Sequence, residues 1–369
     1  MKYLVTLKPL APYFFGNEKV FGYTPGKNEQ YIVHSNLLPQ QTSILGMLRK
    51  EILTCQAKQT DNNFRLREYF GYSAEDRDKM NSWIGPDSFS MKDSDDRQDF
   101  GLIYNISPCF LINTDTDNYY LPLPFDHQQE KKNCGKKYTP LKMNQEKTLV
   151  LMDDCREINL PDNYKPKNWE YGLWWEINRG NKSSNCVMKE SSIFTHEERI
   201  GIKKIASGPT ERESFFKYSY YNLRSPYRFA FIVELGFELP TSSMVFLGGE
   251  RSVFAMQTEE TDRCFADILL PAAADRVILW SDTWLGDNNQ FDYIDFTISQ
   301  NIDFRNMQDW KTTDKTKDKK DINATHRKVE YKYSLLQRGS VLYTKEPEKL
   351  RKRIASFTSL VQIGYNIAN

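Results

Sequence analysis

The sequence predicts an α+β protein made of two units whose sheets are interrupted by long loops. Three observations carry that expectation: strand-like runs at both ends of the chain, apolar-faced helical segments after Gln41 and after Pro347, and polar stretches too long for ordinary turns between them. A length of 369 residues suits one large or two medium domains with real cores. We place the division between 1–224, an N-terminal unit with long insertions, and 225–369, a C-terminal unit that also draws sheet strands from the first half.

The elements follow in order. Tyr3, Val5 and Leu7 alternate with Leu4, Thr6 and Lys8, which makes an opening strand, and Pro9 stops it before an aromatic loop at Tyr13, Phe14 and Phe15. Thr42–Leu53 is an amphipathic helix on Ile44, Leu45, Leu48 and Ile52, with Thr42 or Ser43 placed to cap its first amides. Gly46 costs that helix roughly 1 kcal/mol relative to alanine, so a close neighbour, a strand or an RNA backbone, is expected beside it. Asp76–Phe100 and the lysine-rich Asp126–Lys147 are polar and read as surface excursions. Between them, Gly101–Thr114 is apolar enough for a strand pair, and the Leu-Pro-Leu-Pro run at Leu121–Pro124 suits a sheet edge or an extended loop. Trp174 and Trp175 mark an ordered patch, by indole burial or by base stacking, ahead of a polar linker at Asn178–Asn185.

The second unit opens on Phe229, Phe231, Val233 and Leu235, alternating as in a strand. After Val245-Phe246-Leu247, the glycines Gly248 and Gly249 permit a bulge, a tight turn or a close backbone approach to a partner; the lysine and long loop of a Walker motif are absent. Ala266–Leu270 and Arg276–Trp280 add short apolar elements, whereas Lys311–Lys320 has almost no apolar anchor and reads as a mobile loop. Gly339–Tyr343 is a short buried strand, Pro347 opens a helix with Leu350, Ile354 and Phe357 inward, and Val361–Asn366 reads as a strand entering a glycine turn.

Composition limits the function classes. Fifty Lys and Arg against 49 Asp and Glu leave a net charge of +1, which excludes a uniformly basic nucleic-acid binder but not local patches. One such patch lies at Arg338–Arg353, with six basic and two acidic residues. No apolar stretch approaches membrane length, and Lys2, Lys8 and Pro9 break up the start before a secretory core can form, so the expected location is the cytoplasm and no membrane partner is expected. The six cysteines include no CxxC and the four histidines no HExxH, so reduced structural thiols are expected and neither metal nor cofactor is.

Several separated pieces carry a family resemblance. They are Pro9-Leu10-Ala11-Pro12-Tyr13-Phe14-Phe15-Gly16, the Pro39–Arg49 helix entry, Glu198-Arg199-Ile200-Gly201-Ile202 leading to Glu213–Phe216, Gly248-Gly249-Glu250-Arg251, Arg338–Tyr343 and Gln362-Ile363-Gly364-Tyr365-Asn366. In number and order they resemble the third-subunit family of type III-B CRISPR Cmr effector complexes, within the repeat-associated mysterious protein (RAMP) superfamily. The resemblance spans nearly the whole chain and is poorest at Asp76–Lys147 and Asp309–Arg327. It implies two ferredoxin-like (RRM-like) domains with long loop insertions. It also implies a non-catalytic subunit of antiviral RNA-guided interference, which binds the 5′ repeat-derived tag of the guide RNA. Such a subunit joins the RNA-bound backbone of RAMP subunits to the large polymerase-like subunit and meets target RNA indirectly.

An RNA tag needs cations for phosphates, small residues where its backbone approaches, and rings or amides for splayed bases. The candidates are Ser43, Gly46 and Arg49 at the first helix, Arg199, Lys203 and Lys204 in a glycine-containing basic stretch, Gly248, Gly249 and Arg251, Arg351 on the basic helix, and Gly364, Tyr365 and Asn366. Each has a bland counterpart: capping for Ser43, a local ion pair with Glu51 for Arg49 and with Glu250 for Arg251, a solvated face for the Arg199 stretch, and a sheet terminus for the last three. Two other classes are weighed against this one. His34, with Tyr31 or Arg49 as companion, would serve a metal-independent RNA-processing endonuclease, and the abundant carboxylates would serve a glycoside hydrolase.

Overall fold

The computed structural model describes residues 1–16, 31–59, 74–91, 94–129, 138–150, 157–162, 172–178, 186–204, 210–269, 271–286, 293–304, 307–309, 326–328 and 333–369. The first part of the chain forms β1 (Lys2–Pro9), β2 (Phe15–Gly16), β3 (Tyr31–Asn36), α1 (Gln41–Gln59), α2 (Ala74–Ile84), β4 (Ile103–Ile106), β5 (Phe110–Asn113) and β6 (Tyr119–Pro122). Next come β7 (His127–Gln129), β8 (Tyr138–Pro140), β9 (Met143–Val150), β10 (Glu157–Pro161), β11 (Leu173–Ile177), β12 (Val187–Lys189), α3 (Glu190–Ile193), β13 (Phe194–Lys204) and β14 (Thr210–Leu223). Then follow β15 (Tyr227–Leu235), β16 (Ser242–Phe246), β17 (Val253–Glu260), β18 (Arg276–Ile278), β19 (Phe296–Ile298) and β20 (Asn301–Phe304). The chain closes with β21 (Met307–Asp309), β22 (His326–Lys328), β23 (Tyr333–Leu336), β24 (Val341–Tyr343), α4 (Pro347–Ala355) and α5 (Thr358–Gln362).

The opening strand sits inside a nine-stranded sheet of order β12-β11-β6-β5-β15-β1-β17-β16, with β4 also on β15. β1 is antiparallel to both neighbours, Leu7 lying opposite Phe229 on one side and Met256 on the other. This sheet takes strands from either side of residue 225. A four-stranded sheet β13-β14-β3-β2 contains the long β13–β14 hairpin, with β3 parallel to β14. A three-stranded sheet β18-β24-β19 and four strand pairs complete the described residues, giving an α+β fold of mostly antiparallel sheets and few helices.

Alternation in the strands decides which face each side chain enters. Tyr3, Val5, Leu7, Phe229, Phe231, Val233, Phe254 and Met256 bury one face of the large sheet against Ile44, Leu45, Leu48 and Ile52 of α1. From the other face, Leu4, Phe110, Ile112, Ala230 and Ile232 pack on Phe265, Trp280 and Tyr343. The sheet is therefore covered on both sides over β5, β15 and the start of β1.

Several local expectations change. Asp76–Phe100 is more than a surface excursion, because it holds α2 and sends Phe89, Met91 and Phe100 into the core. Asp126, at the start of the second polar stretch, is fully buried and β7 and β8 follow it. β4 and β5 are strands, but each pairs with β15 and not with the other. β6 is interior to the sheet; its Pro122 is the last residue of the strand, opposite Trp174. The aromatic loop is tied to β14 by a Tyr13–Tyr221 bridge. Val361–Asn366 contains the end of α5 and a turn in place of a strand, because Gly364 adopts φ +89° and reverses the chain. Among the described residues nothing lies within 4 Å of a Cβ added at Gly46, so no described strand is the expected close neighbour. Cys109 is a buried thiol, pushed up to about 12 by burial against the opposing effect of Arg338, whereas Cys186 and Cys264 are exposed. The linker at 179–185, the lysine run at 311–320 and two cysteines, Cys134 and Cys155, lie outside the described residues.

The layers meet at a buried polar junction. Arg338 donates to both carboxylate oxygens of Asp282, at 3.3 and 3.1 Å, and to the Cys109 carbonyl at 3.1 Å, while its own amide donates to Asp282 at 3.0 Å. Burial opposes the guanidinium charge, yet the Asp282 charge and hydrogen bonds outweigh it and the pKa ends above its ordinary value. Alongside, Gln41 Nε2 donates to the Ser107 and Ile363 carbonyls, each at 2.8 Å, and its oxygen accepts from the Cys109 amide at 3.3 Å. Removing one partner of such a buried pair strands the other charge at a cost of about 3–5 kcal/mol. Arg338→Ala is therefore expected to lower unfolding free energy by about 3–5 kcal/mol in urea denaturation, and Arg338→Met with Asp282→Leu to lose less; a single-variant loss under about 1 kcal/mol, the range of an exposed pair, contradicts the assignment.

Candidate nucleic-acid interface

Three distant segments converge at the base of the β13–β14 hairpin. Arg199 on β13 pairs with Glu197 at 2.9 Å and lays its guanidinium 4.5 Å from the ring centre of Tyr220 on β14. Phe14, from the loop before β2, meets Tyr220 at 5.5 Å and Tyr218 at 5.4 Å between ring centroids. The turn between β16 and β17 closes over the same ring. Gly249 N–H donates to the Phe14 carbonyl at 2.8 Å, and the Phe14 amide donates to Ser252 Oγ at 3.1 Å. Burial pushes the Tyr220 phenol up, the Glu250 charge adds to this, and Arg199 opposes it.

This geometry explains the double glycine. Gly248 has φ +84°, and a Cβ there would lie 2.5 Å from the Phe14 carbonyl oxygen. The close backbone approach is thus to the aromatic loop of the same chain. Glu250 and Arg251 follow at φ 52° and 54° and are exposed, so the turn presents a cation at the end of the cluster. Phe14 and Tyr220 are buried and Tyr218 is partly exposed, so exposed Arg199 and the Tyr218 ring carry the chemistry that suits phosphates and unstacked bases.

The other candidates separate into different surroundings. Arg49 donates to the Asp87 carbonyl at 2.8 Å and lies 5.3 Å from the Phe100 ring centre. The Ser43 amide donates to Gln40 at 2.9 Å, and Gly46 faces outward one turn on. Lys203 and Lys204 fall on β13, but their side chains lie outside the described part. Arg351 faces the protein: it binds Glu348 and the Ala273 carbonyl at 2.6 Å and the Arg276 carbonyl at 3.2 Å. Gly364, Tyr365 and Asn366 belong to the buried junction. A Cβ on Gly364 would overlap Gln41 Nε2, Tyr365 is pushed up by burial beside Thr42, and Asn366 accepts from Trp284 N–H at 2.8 Å and donates to the Ile354 carbonyl at 3.1 Å. His34 is exposed on β3 opposite Ser219, and Arg49, its suggested companion, is engaged elsewhere.

Sequence reasoning missed a cleft of about 270 Å³ walled by the Leu37–Gln40 loop, the Pro122–His127 loop, Trp174 and Glu190, with Gln337 and Arg338 closing it. Burial raises the Glu190 carboxyl, and His127 Nδ1 lies 2.6 Å from buried Asp126, which Arg276 also pairs at 3.0 Å. The two proline-stiffened loops were the signal available in the sequence, but 300 residues separate the cleft's first and last walls. Among the described residues, no three His, Cys, Asp or Glu side chains gather to hold a metal, and no helix is long and apolar enough to cross a membrane.

The two kinds of candidate are separable by stability. Gly248→Ala is expected to cost at least about 1–2 kcal/mol, the penalty of a left-handed L-residue, with the Phe14 overlap added. Arg251→Ala should stay within about 0.5 kcal/mol, as for surface substitutions. Equal losses in urea denaturation would contradict this division of roles.

No curated protein sequence matches the chain. It is similar at 12% identity to a chain in a cryo-EM structure of the Type III-B Cmr-beta complex bound to cognate target RNA and AMPPnP, with a TM-score of 0.46 over 98% of this chain and 94% of that one. A second such structure, with cognate target RNA, gives 12% identity and a TM-score of 0.47 over 100% and 96%. The family model described as CRISPR-associated protein (Cas_Cmr3) matches residues 5–368. The match runs from inside β1 to the penultimate residue, through every segment on which the resemblance rested, and the protein belongs to the Cas_Cmr3 family of CRISPR-associated proteins.

Proposed function

We propose that this protein is a non-catalytic, RNA-associated subunit of a Cmr effector complex, acting in the cytoplasm. It holds the 5′ repeat-derived tag of the guide RNA and joins the RNA-bound backbone of RAMP subunits to the large polymerase-like subunit, with target RNA met indirectly. Family membership supports the subunit role. The observation that carries the RNA role is the gathering of Arg199, Tyr218 and Tyr220 with the sequence-distant Phe14 under the Gly248–Arg251 turn. Arg199 and Arg251 supply charge for phosphates, and the Tyr218 edge supplies a partly exposed ring for a base. Ser43, Gly46 and Arg49 at the start of α1 form a second proposed contact, with the outward Gly46 leaving room for a backbone. In the same reading the chain is two ferredoxin-like domains, 1–224 and 225–369, and the pairing of β1 with β15 and β17 supports their sharing of strands.

A near-neutral chain suits this role, since local cations hold RNA while the remaining surface is left to protein partners. The decisive experiment is co-expression with the proteins encoded beside it, followed by sequencing of the bound small RNA and mapping of its crosslinks. Guides with a common 5′ end crosslinked to this chain are the expected result; a complex whose guide crosslinks miss this chain contradicts the RNA role. In the assembled complex, Arg199→Ala is expected to weaken guide retention roughly tenfold and to reduce the salt slope by about one, whereas unchanged affinity over a salt series counts against the cluster. The purified chain alone should leave RNA intact, and turnover abolished by His34→Ala would overturn the non-catalytic reading.

A further inference from the structure

The largest sheet ends on β16, and among the described residues no strand pairs with its far side. The ladder to β17 shows which backbone groups that leaves open. Leu247 N–H donates to the Ser252 carbonyl and Thr258 N–H to the Thr241 carbonyl, each at 3.1 Å, and the intervening register runs unbroken from Ser242 opposite Gln257 to Phe246 opposite Val253. Bonded and non-bonded pairs alternate along an antiparallel ladder. Ser243 and Val245 therefore spend their backbone groups on β17, while the N–H and C=O groups of Ser242, Met244 and Phe246 point to the open side.

Exposed edges are normally protected by a charge, a proline, a bulge or a covering element. β16 reads Ser-Ser-Met-Val-Phe and has none of the first three. Its outward side chains are apolar and open, with Met244 72% and Phe246 48% exposed. The apolar surface continues across the sheet, for Leu10 is exposed and bonds to Val253, the residue opposite Phe246. Contiguous exposed apolar surface of this kind marks an interaction site.

Charge narrows the occupant. Lys50, midway along α1, holds its ammonium 4.6 Å from the Phe246 ring centre, and Arg251 is exposed on the turn just beyond, with Glu250 beside it. Lys8 and Met244 both lie opposite Ala255, so a further exposed cation flanks the same face. At the Ser242 end, Arg228 donates to Gln257, the residue opposite Ser242, so the flanking charge there is also positive.

We propose that β16 is the docking edge for an extended strand from a partner protein. That strand bonds to the outward groups of Ser242, Met244 and Phe246, sets an apolar side chain against Met244, and carries a carboxylate toward Lys50. The backbone of single-stranded RNA has only its ribose 2′-hydroxyls as donors, and these do not reproduce the alternating N–H and C=O groups by which a peptide strand answers a sheet edge. A second copy of this chain would set a second Lys8, Lys50 and Arg251 against those already on this edge, like charges that disfavour the pairing. The inference rests on reading the chain as a subunit of an assembly.

Hydrogen–deuterium exchange is measured on the full chain alone and in the assembly formed by co-expression with the proteins encoded beside it. The Met244 and Phe246 amides are expected to exchange at least tenfold more slowly in the assembly, and ribonuclease treatment should not remove that protection. Met244→Pro deletes an outward N–H that the β17 ladder does not use, and should lower partner retention at least tenfold with the unfolding midpoint held; Met244→Leu should retain the partner. Equal exchange in the free and assembled chain overturns the proposal. So does protection that ribonuclease abolishes, which indicates RNA, or protection that appears in the chain alone as its concentration rises, which indicates a second copy. An assembly with an unprotected edge removes only the strand docking; a chain that enters no assembly removes the subunit reading as well.

Discussion

The Arg338–Asp282 pair is the constraint on which the remaining architecture depends. A guanidinium and a carboxylate this deeply buried are tolerable only when nearly every donor and acceptor is answered, and the answers come from elements far apart in the chain. Asp282 follows β18, Arg338 precedes β24, and the Cys109 carbonyl belongs to the turn that enters β5. Gln41, the first residue of α1, ties that same turn to the end of α5. One polar junction thereby sets the helix on one face of the large sheet and the three-stranded sheet on the other in a single arrangement.

That junction also decides what the closing residues do. Gly364 has the only side chain, a hydrogen, that clears Gln41 and the Ser107 carbonyl, and Asn366 reaches both Trp284 and Ile354. The glycine, the ring and the amide that together suit an RNA contact are consumed in joining the C-terminal turn to the core. Arg351 is similar: it lies on the basic helix, but its guanidinium is spent on Glu348 and on the Ala273 and Arg276 carbonyls before and at the start of β18. Exposed Arg199 over Tyr220, Lys50 over Phe246 and Arg251 on the β16–β17 turn lie instead around the hairpin base and the β16 edge.

Where the sequence was legible, a local rule governed. Alternation found β1 and β15, the apolar stripe found α1, and Pro347 found the start of α4, because each depends on near neighbours in the chain. Asp76–Phe100 was misread because its buried apolar residues, Met80, Phe89, Met91 and Phe100, are diluted among acids and amides and carry no period. Val361–Asn366 was misread because a one-turn helix and a short strand have the same apolar content, and only the positive φ at Gly364 separates them. The β13–β14 cluster was half legible: Arg199 and the double glycine stood out, but nothing local tied either of them to Phe14 or Tyr220.

The sequence by itself determined the α+β class, the main strands and helices, the near balance of 50 basic and 49 acidic residues, and a set of ordered motifs that resembles one family. Tertiary structure alone decided which member of each motif faces outward. It turned Gly248 toward Phe14 and Arg351 toward the core while leaving Arg199 over Tyr220 and Phe246 at an open edge. The physical reason is that exposure, ion pairing and ladder satisfaction are set by contacts across hundreds of residues, whereas propensity and periodicity act over only a few.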